Sequence, residues 1–169
     1  MVIDTRKTLG SLVDEIHATS GTVDDFYWNE WTTTPPYLEL TFKEFVERFP
    51  KEIPARESDS APLKDRKDYS LWMERIGKYL YEAISNANRH GNKDIPTQKI
   101  GIARYYGRNG FVYSISDKGQ GFDVRATVEN ALKINEVPPH GFTLFQKTDM
   151  VVAFNTKGNA TYLQYKCKT

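Results

Sequence analysis

The chain has 169 residues, with 23 Lys and Arg against 22 Asp and Glu for a formal net charge of +1. That length suffices for one domain with a sizeable core, and the balanced charge supplies no global basic field of the kind that draws a protein to nucleic acid. No apolar run approaches the roughly 20 residues of a membrane span, and the start MVIDTRKTLG lacks a secretory hydrophobic stretch, so neither membrane nor export is expected. The single cysteine, Cys167, has no internal disulfide partner, which suits the reducing cytoplasm.

From the N-terminus, Leu9, Leu12, Val13 and Ile16 recur at helical spacing and predict a short first helix. An aromatic cluster, Phe26-Tyr27-Trp28 with Trp31, is read as core packing. After Pro35-Pro36, Tyr37 to Thr41 reads as a strand, and Phe42, Phe45, Val46 and Phe49 lie on one helical stripe. Pro50 to Asp68 holds ten charged residues among nineteen and three prolines, and reads as an exposed loop. A single domain spanning 1–169 is expected, with the core patterns in 70–169 and residues 1–68 as the N-terminal part before them.

The most regular pattern follows. From Trp72, apolar residues return at Ile76, Tyr79, Leu80, Ala83, Ile84 and Ala87, which is one buried stripe of a long helix. Beside it, Glu82, Asn86 and His90 succeed one another at i, i+4 and i+8, turning by about 40° per step. A carboxylate, an amide and an imidazole at the border of a core are compatible with plain surface polarity, a metal site or a ligand pocket. His90 before Gly91 and Asn92 also suits a helix end. Gln98 to Tyr106 is β-rich, Asn109-Gly110 carries the hairpin signal, and Phe111 to Asp117 alternates as a second strand ending on Asp117. Gly119 and Gly121 come directly after it. A calcium loop does not fit, because its alternate ligand positions hold Lys118, Gln120 and Phe122. A helix from Val124 to Ile134, a Val137-Pro138-Pro139 stretch, and strands over Met150 to Asn155 and Ala160 to Lys166 complete the chain.

Glu82, Asn86, Ala87, His90 and Gly91 stand as E-x-x-x-N-A-x-x-H-G, and Asp117, Gly119, Gly121, Phe122 and Asp123 as D-x-G-x-G-F-D. In these motifs and their spacing the sequence resembles the ATP-binding superfamily of DNA gyrase, heat-shock chaperones, sensor histidine kinases and mismatch-repair ATPases, the Bergerat fold. Its small bacterial branch, the anti-sigma-factor serine kinases, is the nearest match. The resemblance implies an α/β two-layer sandwich, a mixed and mainly antiparallel sheet with helices on one face, and ATP and Mg²⁺ as ligands. It implies Glu82 as the general base, Asn86 as metal ligand, Asp117 as acceptor of the adenine amino group, and Gly119 and Gly121 against base and ribose. His90 is left between lining the phosphates and ending the helix. The family's second glycine box, G-x-G-L, stands here as Gly141-Phe142-Thr143-Leu144, so Thr143 replaces a glycine. Its side chain either crowds the phosphate end or adds a hydroxyl contact there. The segment from Phe122 to His140 corresponds to the ATP lid. The resemblance further implies a protein partner, either a sigma factor or an anti-sigma antagonist, and a homodimer. Two alternatives keep the fold: a regulatory ATP-binding module without turnover, and the ATPase module of a sensor kinase.

Overall fold

The computed structural model describes residues 3–29, 33–53, 60–133, 144–145, 148 and 150–168, with the side chains of 131–133 excepted. Expectations for Trp31, Gly141 and Thr143 therefore fall outside the described residues.

In chain order the elements are α1 (Leu9–Glu15), β1 (Ala18–Tyr27), α2 (Thr34–Arg48), α3 (Lys67–Trp72), α4 (Lys78–Asn86), β2 (Lys99–Gly107), β3 (Gly110–Ser116), α5 (Val124–Lys133), β4 (Val151–Phe154) and β5 (Ala160–Lys166). Helix α3 passes into α4 through a wide π turn, Met73–Gly77, and a second, Ala87–Gly91, ends the rod. The five strands form one sheet in the order β1-β2-β3-β5-β4, every strand pair antiparallel. Among the described residues the parallel component is a single bridge between Ile3 and Val152.

Strand alternation divides the sheet into two faces. Ile100, Ile102, Phe111, Tyr113, Ile115, Leu163 and Tyr165 pack with α2, α3 and α4 in the main core, where Phe45 meets Phe111 and Tyr165 edge to face. The predicted stripe is buried throughout: Trp72, Leu80 and Ile84 are fully enclosed. This is the α/β sandwich of the expected class. On the opposite face, α1 lays Leu12 and Ile16 over Val112, Ala153 and Tyr162, adding partial cover there. Gln164 donates to the Leu12 carbonyl at 3.0 Å, and Glu15 pairs with Lys166 at 2.6 Å. Thr8 caps α1 by accepting from the Ser11 amide at 3.2 Å, while Ser11 Oγ accepts from the Thr8 amide at 3.1 Å. Thr8→Ala is therefore expected to cost about 1 kcal/mol of stability, read as a shift in urea midpoint.

Four readings of the N-terminal part are corrected. Tyr37 to Thr41 is helical, not a strand: Pro35 and Pro36 occupy the first turn of α2, and Tyr37, Leu38, Thr41, Phe42, Phe45 and Val46 are buried in helical order. Strand β1 escaped the sequence reading because most of it is exposed on both sides, as befits a sheet edge. Within the charged stretch, Arg66 and Asp68 are buried in a bidentate pair of 3.1 and 2.8 Å, and Ile53 joins the core. Of the aromatic cluster, Phe26 and Trp28 pack against the core, Trp28 also meeting Tyr81, whereas Tyr27 is 54 % exposed on the edge strand and departs from the core-packing reading.

Candidate functional site

Asp117 follows β3 directly, and the alternation that sends Tyr113 and Ile115 into the main core carries its side chain to the same, helical, side of the sheet. There it meets the end of the long rod. A Cβ built on Gly91 would lie 2.1 Å from Asp117 Cγ, so the carboxylate rests against the bare backbone of the π turn. Gly119 makes the reciprocal approach, its own implied Cβ falling 2.2 Å from the Gly91 carbonyl oxygen. Gly91, Asp117 and Gly119, drawn from both signatures, are thus in mutual contact.

One oxygen of Asp117 is committed. The Gly119 amide donates to Oδ1 at 2.7 Å, whereas no donor to Oδ2 occurs among the described residues. Burial raises the carboxyl pKa above its ordinary value, against the lowering effects of the Gly119 amide and the Lys157 charge. A carboxyl raised in this way holds its proton more readily in the folded than in the unfolded chain. It therefore detracts from stability above that pKa, and the loss is relieved as pH falls through it. Only the ionised form offers two acceptors, so the affinity of a ligand that donates to Asp117 is expected to decline on acidification earlier than an unperturbed carboxylate would dictate. Calorimetric titration over a descending pH series checks this.

Glu82 and Asn86 stand one turn apart on α4, both half-buried beside the fully packed Ala83 and Ile84. His90 is exposed in the terminal π turn. Gly121 has φ +79°, and a Cβ there would strike the Lys157 carbonyl at 1.8 Å. The second signature therefore runs tightly along the β4–β5 turn, where Phe122 also meets Phe154 edge to face at 5.6 Å. Asp123, the last residue of that signature, caps α5 by accepting from the Ala126 amide at 2.9 Å. A separate cavity, lined by Ile3, Lys7, Asp123, Val124 and Phe154 among others, contains none of Glu82, Asn86, His90 or Asp117.

A comparison with protein families matches residues 37–164 to the histidine kinase-like ATPase domain. The chain belongs to that family. No curated protein matches it. As a histidine kinase-like ATPase domain it is ATP-binding by class, and its five-stranded antiparallel sheet with a helical layer agrees with that fold. The chemistry of the donor set suits a nucleotide: a half-buried carboxylate, packed against the bare backbone of Gly91 and Gly119, keeps one oxygen without a donor among the described residues. No described helix is long and apolar enough to cross a membrane, and no cluster of His, Cys, Asp or Glu among the described residues forms a metal site made of protein alone. A sparse set such as one amide oxygen is what a hard cation shared with phosphates requires. Burial pushes the Cys167 thiol up to about 11, away from the thiolate that a nucleophile requires.

Two residues to which the sequence reading gave no role in the site hold the main chain around Asp117. Asn159 accepts the Asp117 amide on its carbonyl at 3.0 Å and directs Nδ2 to the Asp117 carbonyl at 3.4 Å. Asn92, fully buried, accepts from the Lys118 amide at 2.8 Å. The only sequence signals were an Asn after each of two glycines, Gly91 and Gly158.

Proposed function

We propose that this ATPase domain is a cytoplasmic, Mg-ATP-dependent protein serine kinase of the anti-sigma type, which binds a sigma factor or an antagonist protein and phosphorylates a serine on the antagonist. The observation that carries this reading is Glu82, a half-buried carboxylate one helical turn ahead of Asn86, since a module that only held nucleotide has no use for a base there. In this reading Asp117 Oδ2 accepts from the adenine amino group, and Gly119 and Gly121 let main chain lie close to base and ribose. The Asn86 amide oxygen is the protein's ligand to Mg²⁺. Bound ATP supplies a transferable γ-phosphoryl group. Glu82 orients the attacking serine hydroxyl and takes its proton, and the transfer otherwise depends on positioning and charge neutralisation. His90, exposed at the helix end, is assigned to the phosphate rim, together with Gly141 and Thr143 from the second glycine box. A second copy of the chain is the expected partner in a homodimer.

Incubation of the protein with γ-labelled ATP and a protein extract tests the reading. A labelled serine on another protein is the expected result, reduced about 10²-fold by Glu82→Gln. Nucleotide held tightly with no transfer contradicts the kinase and leaves the regulatory module, the reading that Thr143 favours.

A further inference from the structure

The main chain around Asp117 is held from elements remote in sequence: the Asn159 carbonyl accepts its amide at 3.0 Å, and the side chains of Asn92 and Asn159 hold the peptide that follows it. Asn92 lies just past the terminal π turn, and its own amide donates to the Ala87 carbonyl at 2.8 Å. It is 0 % exposed, and its side chain makes three bonds: Oδ1 accepts from the Lys118 amide at 2.8 Å, and Nδ2 donates to the Gln98 and Lys99 carbonyls at 3.3 and 3.2 Å. That arrangement admits one orientation of the amide, because two carbonyls demand the nitrogen and one N–H demands the oxygen. The peptide joining Asp117 to Lys118 is thereby held at both ends. Its N–H is fixed by Asn92, and its C=O faces Asn159 Nδ2 at 3.4 Å.

With that peptide plane fixed, the Asp117 side chain has little freedom. Both carboxylate oxygens lie against Gly91, the Gly119 amide holds Oδ1, and Oδ2 is the oxygen without a donor among the described residues. We propose that Asn92 is the positioning residue that sets this unengaged oxygen for the base, coupling the end of the Glu82–Asn86 helix to the loop that recognises adenine. The proposal rests on the nucleotide reading above and deepens it: Asn92 touches no ligand, and it acts on specificity through Asp117. Releasing Lys118 lets the peptide rotate, and Oδ2 loses its alignment while the glycine-lined floor remains.

Equilibrium binding of Mg-ATP and Mg-ITP to the wild type and to Asn92→Ala separates the possibilities. ITP carries a carbonyl where ATP carries the amino group, so Asp117 contributes to the first ligand only. The wild type is expected to prefer ATP. Asn92→Ala is expected to weaken ATP by about tenfold while leaving ITP within about twofold, the loss of one aligned charged hydrogen bond. Equal losses for both nucleotides, or none for either, overturn the positioning role, since a general weakening of the fold acts on both alike. A wild type that binds neither nucleotide overturns the nucleotide reading itself and this inference with it. Should Asn92→Ala fail to fold, residue-resolved hydrogen exchange on the wild type decides. A slowed Lys118 amide is expected although Lys118 is exposed, and free exchange there contradicts the bond on which the proposal stands.

Discussion

Asp117→Asn is expected to weaken ATP binding by about 10³-fold and to invert the preference for the base, with ITP now bound better than ATP. The reason is the Gly119 amide. It donates to Oδ1 at 2.7 Å and requires an acceptor there in any variant. An asparagine meets that demand with its amide oxygen, which turns its NH₂ outward to the place Oδ2 occupies in the wild type. A donor then confronts the adenine amino group, itself a donor, and two polar groups are left unpaired in a half-buried setting. The same NH₂ suits a base bearing a carbonyl. Calorimetry with ATP and ITP reads both halves of the result, and unchanged selectivity in this variant would remove Asp117 from base recognition.

The second large effect concerns the fold. Arg104 points from β2 into the space between sheet and α2 with its side chain only 5 % exposed, meeting Asp24 of β1 and Glu44 of α2, each at 2.6 Å. Its Cζ lies 5.6 Å from the Tyr37 ring centre, and Tyr106 donates to the same Glu44 carboxylate. Nη1 approaches Glu44 away from the ideal hydrogen-bond direction, and Nε lacks an acceptor among the described residues, so the cluster depends on charge more than on complete hydrogen bonding. Arg104→Leu leaves Glu44 largely enclosed without its cation. A loss of about 3–4 kcal/mol is expected, seen as a fall in Tm of about 6–14 °C. Asp24 is 43 % exposed, and Asp24→Asn should cost under about 1 kcal/mol. The double change Arg104→Leu with Glu44→Leu should recover much of the loss, because it buries no orphaned charge. If the double variant is as unstable as the single one, packing rather than charge accounts for the cluster.

Periodicity carried the sequence reading where one face of an element is buried and the other is not. The stripe from Trp72 to Ala87 meets that condition, whereas β3 is buried on both faces and was legible instead from its hairpin signal and the alternation of Phe111, Tyr113 and Ile115 with Val112 and Ser114. Strand β1 does not meet the condition either. Its central residues Thr19 to Val23 are all exposed, so no alternation exists to be read, and its identity emerges from pairing with β2, Val23 opposite Ala103. Helix α2 was obscured differently: Leu38 and Leu40 recur at the strand period, yet Leu38 is buried while Leu40 is 42 % exposed. Arg66 and Asp68 satisfied each other's charges in the interior, which composition alone cannot distinguish from solvation.

The signatures offered candidate residues for the site, but not what fixes them in place. The bonds from Asn92 to Lys118 and from Asn159 to Asp117 span 26 and 42 positions, with no pattern connecting their ends. The same holds for the tight passage of Gly121 over Lys157, which depends on the β4–β5 turn being folded beneath it.

Central to the whole reading is that the carboxylate of Asp117 and the amide of Asn86 serve a single bound nucleotide. Titration of isotope-labelled protein with Mg-ATP, followed by NMR at the backbone amides of Gly91, Lys118 and Gly119 and at the side-chain amide of Asn86, tests this most directly. All four signals should shift together and saturate at one equivalent, and substitution of Mn²⁺ for Mg²⁺ should broaden the Asn86 side-chain signal first. Shifts at Asp117 and its neighbours with Asn86 unmoved, or no saturable change at either, would contradict it.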